Sequence, residues 1–477
     1  MNTVASTSAR LSDAPVQTRR SPSPGLIAQL QGRFRERLST SQAVLLQHGT
    51  DESAYAPHPP DAVVFVQNTD EVVFVVRACA RERVPIIGFG VGSSVEGHLL
   101  AVAGGVCIDF SQMNKVLAVR PADLTATVEA GVTRGQLNAA LAQTGFFFSV
   151  DPGADASIGG MVATAASGTN TVRYGTMRDN LVSLTVVTAD GDVVRTASRA
   201  RKSSAGYNLT QLYCGSEGTL GLITEATVKI HPHPEACAAA VVNFPSVRAA
   251  VDCVIEAIQS GVPLARAEML DGLTIQAVNA HSRTTLNECP TLFLEFCGSK
   301  SQIDEQAELM REISSGHGGG SFEWALRQEE RTRLWTPRHH AYFACLQLKA
   351  GCRSVTTDAC VPLSRLAQCI DETRNDIDEH GLLAPVFGHV GDGNFHCMVL
   401  VDPHDEEQNE AAEDFCRRLV ERALLHGGTC TGEHGIGLAK KDLLPLEQAP
   451  GVLALQRKLK QVFDPEGFLN PGKFLPD

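Results

Sequence analysis

Residues 151–169 read D-P-G-A-D-A-S-I-G-G-M-V-A-T-A-A-S-G-T, and almost none of these side chains is bulky. Small residues expose backbone N–H groups and allow a rigid ligand to lie directly on the main chain. Glycines also serve ordinary turns, but a stretch of this length is hard to explain by turns alone. The segment therefore predicts a ligand-binding surface made of main chain.

Two further segments of the same kind lie on either side in the chain. They are G-F-G-V-G-S-S at Gly88–Ser94 and G-S-E-G-T-L-G-L-I-T at Gly215–Thr224. Successive N–H groups in such loops form nests for phosphate, so a large flat cofactor with a pyrophosphate would use all three. A dinucleotide fingerprint would need a helix directly after the first loop, where Gly97 stands instead, and a nicotinamide Rossmann site is disfavoured.

The second half of the chain carries a β-hairpin signal with histidines at one end. Val386–Val401 reads V-F-G-H-V-G-D-G-N-F-H-C-M-V-L-V, two apolar runs around a Gly-Asp-Gly-Asn turn. A hairpin would bring His389 and His396 together, and Glu433 in T-G-E-H-G-I-G could reach them. A single histidine at a strand end is usually only hydrogen-bonded, but two imidazoles and a carboxylate form a divalent-metal set with open positions. His434 beside Glu433 is then a candidate base.

Composition limits the remaining choices. The 477 residues are 43% hydrophobic and 20% charged, which predicts a globular chain of two or three domains. A net charge of −13 argues against a nucleic-acid partner. No apolar run approaches the roughly twenty residues that span a bilayer, so no transmembrane segment is expected. The 14 cysteines include no C-x-x-C pair and are interpreted as small buried hydrophobes in a reducing compartment.

The chain divides into three segments that differ in composition and in the pattern of predicted helices and strands. Residues 1–24 are rich in Ser, Thr, Ala and Pro and read either as a mitochondrial targeting peptide or as a disordered N-terminus. Residues 25–233 contain the three glycine-rich segments. A boundary is predicted in H-P-H-P-E at His231–Glu235, and 234–477 alternates helices and strands as an α+β domain whose antiparallel sheet is covered by helices on one face.

The ordered set of motifs resembles a known family over residues 50–477. The motifs are G-x-G-x-S, D-P-G-A-x-x-S-I-G-G-M-x-A-T-x-A-S-G, R-Y-G, G-S-E-G-T-L-G-L-I-T, G-H-x-G-D-G-N-x-H, G-E-H-G-I-G and F-D-P-x-x-x-L-N-P-G-K. They are similar to those of the FAD-dependent D-2-hydroxyacid dehydrogenases of the vanillyl-alcohol-oxidase/PCMH flavoprotein superfamily. The resemblance implies an α+β protein with a PCMH-type FAD-binding domain, a substrate and metal domain, and a C-terminal helical segment that returns to the flavin.

The resemblance also assigns the cofactor contacts. FAD would be noncovalent, because Val91–Ser93 stand where some relatives carry a flavin-linked histidine. The family has Asn where this chain has Ala165, which removes one side-chain contact. The implied FAD-binding residues are Gly88, Gly90, Val91, Gly92, Ser93, Ser94, Pro152, Gly153, Ser157, Ile158, Gly159, Gly160, Ala163, Thr164, Gly168, Gly218, Thr219, Gly221, Ile223 and Asn470.

The implied reaction removes a hydride from the α-carbon of a D-2-hydroxy acid and a proton from its hydroxyl. His389, His396 and Glu433 would hold a divalent metal, zinc or manganese, with His434 as general base and Asn394 as a substrate contact. Arg338 matches the family's carboxylate-binding position, although a solvated helix arginine is the alternative.

The substrate and partners follow from the same resemblance. The expected reaction is D-lactate to pyruvate, with electrons passed to cytochrome c or a quinone. Alternatives are a glycolate oxidase FAD subunit, D-2-hydroxyglutarate dehydrogenase, an oxidase using O₂, a metal-dependent hydrolase or a non-enzymatic binding module. A homodimer is left open. The expected location is cytoplasmic, peripheral to the inner membrane, or mitochondrial in a eukaryote.

Overall fold

The computed structural model describes residues 18–476. Most of the predicted N-terminal segment 1–24 therefore lies outside the described residues. Its last residues make contacts: Arg19 pairs with Asp61 at 2.9 Å, and the first helix begins at Pro24 with Ser23 as its N-cap. None of the described helices combines the length and apolar character needed to cross a bilayer.

The first half of the chain contains eight α-helices and eleven strands among the described residues. In chain order they are α1 (Pro24–Phe34), β1 (Leu38–Ser39), α2 (Gln42–His48), β2 (Ala62–Phe65), α3 (Thr69–Glu82), β3 (Ile86–Phe89), β4 (Val106–Asp109), β5 (Val116–Arg120), β6 (Thr125–Glu129), α4 (Arg134–Leu141), β7 (Phe146–Phe147), α5 (Ile158–Thr164), α6 (Thr171–Tyr174), α7 (Met177–Asn180), β8 (Leu181–Val187), β9 (Val193–Arg195), α8 (Leu209–Tyr213), β10 (Leu222–Lys229) and β11 (His231–Pro232).

The second half continues the count. Its elements are β12 (Ala236–Asn243), α9 (Val247–Gln259), β13 (Leu264–Leu270), α10 (Gly272–Ser282), β14 (Thr291–Gly298), α11 (Lys300–Gly316), β15 (Glu323–Ala325), α12 (Gln328–Leu346), β16 (Arg353–Thr356), β17 (Ala359–Cys360), α13 (Leu363–Glu379), β18 (Val386–Gly388), β19 (Asn394–Val401), α14 (Glu406–Leu425), α15 (Leu444–Glu447) and α16 (Pro450–Phe463).

Two larger sheets and a two-stranded antiparallel pair, β7 with β11, form the first half. Strands β2, β3 and β4 pair in parallel, with β1 added antiparallel, in the order β1-β2-β4-β3. Their apolar runs are buried against α1 and α3, as expected for parallel strands covered by helices. The second sheet, β5-β6-β10-β8-β9, is antiparallel, and β8 and β9 form a hairpin around Gly191, whose φ is +76°.

One antiparallel sheet organises the second half, in the order β15-β12-β14-β13-β18-β19-β16, with β17 also paired to β19. The prediction that helices cover only one face is wrong. Every residue of β19 is buried, and its side chains alternate between two cores: Cys397 and Val399 pack with α13 and α14, whereas Met398 and Leu400 pack on the face covered by α10 and α12. A strand that is apolar at nearly every position fits burial on both faces.

The C-terminal segment returns to the first half after α16. Leu469 forms a bridge with Ile86 of β3, and the Asn470 N–H donates to the Ile86 carbonyl at 2.9 Å. The Asn470 side chain donates to the carbonyls of His98 and Glu217. The last residues therefore tie the chain on either side of the first glycine-rich segment, at Ile86 and His98, to the third segment at Glu217.

Cys237 and Cys297 face each other on β12 and β14 and are joined by a disulfide. The interpretation of all cysteines as unpaired buried hydrophobes is wrong for this pair, because direct cross-strand register brings the two sulfurs together. The other cysteines of the described residues are free and buried or partly buried.

Candidate active site

The three glycine-rich segments meet. A Cβ on Gly90 would lie 2.3 Å from the Ser157 Oγ, which places the first segment against the second. The N–H groups of Gly215 and Glu217 donate to the carbonyls of Val162 and Ala163, both at 2.9 Å, which places the third segment against the second. The main-chain surface predicted from composition is thus one continuous surface.

Two glycines are required there by close packing. A Cβ on Gly159 would lie 2.7 Å from the Ala130 Cβ, and one on Gly168 would lie 2.2 Å from the Asp151 carbonyl oxygen. Gly92 and Gly218 instead have φ values of +80° and +71°, which favour glycine. Any side chain at Gly159 or Gly168 would therefore force the backbone to move, and one at Gly92 or Gly218 would add backbone strain.

The surface has the features of a binding site for a large polar ligand. Cβ atoms built on Gly153 and Gly218 would meet no atom within 4 Å. The His98 Nδ1 and the Ser216 Oγ are buried and have no hydrogen-bond partner among the described residues. Buried polar atoms are normally paired, so these orphans fit contacts to a bound group. The residues present therefore fit FAD.

His389 and His396 lie at one end of the β18–β19 hairpin, as predicted. His389 directly follows β18, and His396 lies opposite Phe387 in the register. Their Nε2 atoms are 3.3 Å and 3.2 Å from the same Glu433 oxygen. All three groups lie within 4.8 Å of one another, so the structure brings together the predicted ligand set.

The second nitrogen of each imidazole is held by the protein. His389 Nδ1 donates to Glu268 at 2.6 Å, and His396 Nδ1 donates to the Thr357 carbonyl at 2.9 Å. Such outer partners fix the tautomer and leave Nε2 as the coordinating atom. Both Nε2 lone pairs are therefore directed toward the Glu433 carboxylate, and this set of three donors fits a divalent cation.

The electrostatics of this cluster favour positive charge. Burial alone would lower the pKa of His389, but the carboxylates of Glu268 and Glu433 raise it well above its usual value. Burial opposes ionisation of Glu433, yet the two histidines hold its pKa well below the ordinary range. Two buried carboxylates around one imidazole create a negative potential that a cation would neutralise.

His434 is placed as a candidate base beside this cluster. Its ring stacks on His396 with centroids 5.2 Å apart, and its Nδ1 donates to Glu96 at 3.1 Å. This bond leaves Nε2 to accept a proton. Burial lowers the pKa of His434, but Asp358 and Glu96 outweigh it and the net shift is upward.

Asp358 organises the loop that carries Glu433 and His434. One of its oxygens accepts the N–H groups of both residues at 2.9 Å, the Thr431 hydroxyl at 2.8 Å and the Lys440 ammonium at 3.4 Å. The other oxygen accepts the Asn394 amide at 2.8 Å. The pKa of Asp358 lies far below its usual value, because His434 and Lys440 outweigh the penalty of burial. A fully ionised carboxylate therefore fixes the geometry of three predicted site residues.

Asp358, His396 and His434 form a second group with metal-compatible spacing. Because five donors already occupy its two oxygens, Asp358 is a poorer ligand than Glu433. The set of His389, His396 and Glu433 is the better candidate.

Asn394 and Arg338 both lie at this site, but Asn394 has an unpaired acceptor whereas Arg338 is held by Glu268. The Asn394 Oδ1 is buried without a hydrogen-bond partner among the described residues, so it offers an acceptor. The Arg338 side chain is only 14% exposed, and its Nε and Nη2 contact Glu268 at 2.8 Å and 2.7 Å. Arg338 is not a solvated helix arginine, and Glu268 links it to His389.

The comparisons with known proteins identify the family. The family model described as "FAD linked oxidases, C-terminal domain" matches residues 233–474, and one described as "FAD binding domain" matches 60–197. The chain belongs to the FAD-linked oxidases. The predicted kinship with the flavoprotein dehydrogenases is confirmed, and FAD is the cofactor that the family binds.

Relatives of this FAD-linked oxidase cover most of the chain. A protein of Danio rerio named "Probable D-lactate dehydrogenase, mitochondrial" is 48% identical over 92% of this chain and 89% of its own length. One of Arabidopsis thaliana named "D-lactate dehydrogenase [cytochrome], mitochondrial" is 44% identical over 94% and 80%. The chain is therefore an enzyme of the oxidoreductase class.

The fold of this FAD-linked oxidase also matches solved structures. p-Cresol methylhydroxylase with substrate bound superposes with a TM-score of 0.78 at 18% identity, covering 96% of this chain and 98% of that one. The α+β, PCMH-type fold prediction is confirmed. The domain bounds and the individual site residues stay predictions.

The sequence did not reveal four charged residues around the site: Glu96, Glu268, Asp358 and Lys440. They come from segments far apart in the chain. A signal existed for Glu268, a lone carboxylate inside the strand A-R-A-E-M-L, where an apolar residue is expected.

Proposed function

We propose that this chain is an FAD- and divalent-metal-dependent dehydrogenase that oxidises D-lactate to pyruvate. The observation that carries the proposal is the convergence of His389, His396 and Glu433 beside the joined glycine-rich segments, where the Ser167 hydroxyl donates to Glu433 at 2.9 Å. The proposed ligands of the metal, zinc or manganese, are these three residues. The proposed noncovalent FAD contacts lie within Gly88–Ser94, Pro152–Gly168 and Gly218–Ile223, with Asn470 closing over the flavin. The names of the D-lactate dehydrogenase relatives support the choice of substrate.

When bound, the flavin accepts a hydride and the cation acts as a Lewis acid toward the substrate hydroxyl. His434 takes the hydroxyl proton at Nε2, because its Nδ1 is committed to Glu96. Two contacts keep the His434 ring in place: His396 stacks on it, and Asp358 accepts the N–H groups of Glu433 and His434. The upward pKa shift of His434 favours holding that proton after transfer.

The substrate's carboxylate and hydroxyl need separate partners. Arg338 is the proposed carboxylate partner, since a planar guanidinium suits that group and Glu268 fixes its orientation. The orphan Oδ1 of Asn394 is the proposed acceptor beside the hydroxyl. Asn394 is buried and Arg338 is largely buried, which limits competition from water.

A small monocarboxylate fits better than a dicarboxylate. The family resemblance implies a lysine shortly before this aspartate in the 2-hydroxyglutarate dehydrogenases, where this chain has R-S-V-T-T-D ending at Asp358. Arg353 in this stretch donates to the Ala54 carbonyl and to Asn409. It is therefore engaged elsewhere, which supports D-lactate over D-2-hydroxyglutarate.

The proposed electron acceptor is cytochrome c, with a quinone as the alternative; the "[cytochrome]" in a relative's name supports the first. The mitochondrial names of the relatives support the mitochondrial alternative for location over the cytoplasmic one. A homodimer stays a prediction.

The test is anaerobic mixing of the flavin-loaded, metal-loaded enzyme with D-lactate, monitored by flavin absorbance. His434→Ala should keep its flavin but lose D-lactate-dependent bleaching. His426→Ala is the matched control, because His426 is a partly buried histidine paired with Glu372 at 2.8 Å and placed at the end of α14. An unchanged bleaching rate in His434→Ala would refute its assignment as the base.

Three substrates separate the alternatives within the family. Faster flavin reduction by glycolate, or activity only with added partner subunits, would favour a glycolate oxidase subunit. Faster reduction by D-2-hydroxyglutarate would favour that dehydrogenase. Stoichiometric production of peroxide from D-lactate in air would show that the enzyme is an oxidase and not a dehydrogenase.

A further inference from the structure

A polar cavity lies on one face of the sheet β5-β6-β10-β8-β9. The other face packs against α4 and α5 through side chains such as Val128, Val186 and Ala226. Because side chains alternate along a strand, the hydroxyl residues between them point away from that core. Four of them, from three neighbouring strands, form the floor of a cavity of about 210 Å³, the inner cavity: Thr127, Ser183, Thr185 and Thr227. The inner cavity is thus on the opposite side of the sheet from α5, which belongs to the second glycine-rich segment.

The walls of the inner cavity are arginines from both edges of the sheet. Arg120 ends the edge strand β5, Arg195 ends the edge strand β9, and Arg199 follows in the loop after β9. This loop reaches back across the sheet, where Arg199 contacts Asp123 between β5 and β6 at 3.3 Å. A larger cavity of about 930 Å³ shares Arg195 and Arg199 with the inner one and adds Arg201.

The inner cavity concentrates positive charge in an acidic protein. Three guanidinium groups and one carboxylate line it, whereas the whole chain carries a net charge of −13. Arg195 has no hydrogen bond or ion pair to any described residue, and Arg120 donates to Thr127 at 2.9 Å. A guanidinium has five N–H donors, so most donors of these two side chains lack a protein acceptor within the described part of the chain. Such planar forks suit the oxygens of a small oxyanion.

The single carboxylate, Glu225, decides which oxyanion fits. One of its oxygens accepts the Thr185 hydroxyl at 2.8 Å, and the other has no hydrogen-bond partner among the described residues. A carboxylate repels a fully ionised anion, but it attracts an anion that still carries an O–H group. Free phosphate keeps a proton near neutral pH, whereas sulfate has none and a phosphate monoester loses its last proton at a pKa of about 6.

We propose that the inner cavity is a binding site for inorganic hydrogen phosphate. Arg120 and Arg195 donate to the phosphate oxygens, and Glu225 accepts a hydrogen bond from the phosphate O–H. The site is separate from the joined glycine-rich segments and from the cluster of His389 and His396. The inference therefore does not depend on the proposed reaction.

The test is isothermal titration calorimetry of the flavin-loaded, metal-loaded enzyme near neutral pH, in buffer free of phosphate and sulfate. Sodium phosphate should bind, and sulfate and glycerol phosphate should bind roughly tenfold more weakly, because neither offers Glu225 a proton. Arg195→Gln and Arg120→Gln should each weaken phosphate binding by roughly tenfold or more, because each removes charge-assisted hydrogen bonds. Glu225→Gln should bind sulfate about as tightly as phosphate, since its amide can donate to either ion.

Arg417→Gln is the matched control, because Arg417 is an exposed arginine on α14, outside the cavity. It should bind phosphate as the wild type does. The inference is overturned if the wild type does not bind phosphate, if it binds sulfate equally well, or if Arg195→Gln binds phosphate like the wild type, since the ion would then lie elsewhere, as on the metal. Flavin reduction by D-lactate should be equal in Arg195→Gln and the wild type, so this test and that of the proposed function fail separately.

Discussion

The carboxylate of Asp358 should control both the fold of the loop that carries Glu433 and His434 and the affinity for metal. In Asp358→Asn, an amide replaces an ion that accepts five hydrogen bonds, two of them from the N–H groups of Glu433 and His434. At least one of the five donors then faces the new NH₂ group and loses its acceptor, and the remaining hydrogen bonds are made to a neutral oxygen. Charged bonds contribute about 1.5–3 kcal/mol and neutral ones about 1, so the expected loss of unfolding free energy is about 4 kcal/mol.

Metal affinity should fall by about 10- to 100-fold in Asp358→Asn, because the loop no longer orients Glu433. The assays are chelator competition for metal affinity, denaturant unfolding and anaerobic flavin reduction. Asp376→Asn is the matched control: Asp376 is buried on α13 and clamped by Arg418 and Arg422 at 2.7 Å and 2.6 Å. It should lose comparable stability and keep its metal affinity. Equal metal affinity in the wild type and Asp358→Asn would refute the reasoning.

Two further predictions concern stability. Ala165 ends α5 in the left-handed region with φ +54°, which costs an alanine about 1–2 kcal/mol. Ala165→Asn should raise the unfolding free energy by about 0.5–1 kcal/mol, measured by denaturant titration, and a loss of stability would contradict this. Burial lowers the pKa of Lys473 to about 7, although the negative charges of Asp51 and Glu217 act to raise it. The unfolded chain then binds more protons between pH 7 and about pH 10, so the flavin-free protein should gain stability as pH rises through this window, by about 3–5 kcal/mol. Lys473→Met should flatten that slope, and an identical slope in both proteins would count against it.

The elements that were predicted correctly are those whose signal is local. The β18–β19 hairpin follows from two apolar runs around a Gly-Asp-Gly-Asn turn, and that turn alone brings His389 and His396 together. The glycine-rich segments were recognised because backbone contact demands small residues, as at Gly159 and Gly168. Such constraints are visible in the sequence wherever they occur.

The missed features depend on long-range packing. Glu96, from the loop after β3, meets His434 across 338 residues, and Glu268 meets His389 across 121. No spacing rule connects them in one sequence. Coverage of the second sheet by helices on both faces was missed, although β19 lacks the polar alternation expected of a strand with one exposed face.

Ala165 stands where the family has Asn, and its left-handed backbone conformation gives this difference a physical meaning. Asparagine tolerates this backbone better than alanine, so the family's Asn at this position has a conformational reason beside any contact to the cofactor. Substitution by Ala leaves the helix end intact, with its N–H still bonded to the Val162 carbonyl.

The central claim is that His389, His396 and Glu433 hold a divalent cation that D-lactate oxidation requires. The most direct measurement is anaerobic flavin bleaching by D-lactate and by L-lactate in enzyme that has been stripped by a chelator and then reloaded with Mn²⁺ or Zn²⁺. The account predicts that stripped enzyme keeps its flavin but bleaches slowly, and that reloading restores fast bleaching by the D isomer alone. Fast bleaching by D-lactate in fully stripped enzyme would contradict it.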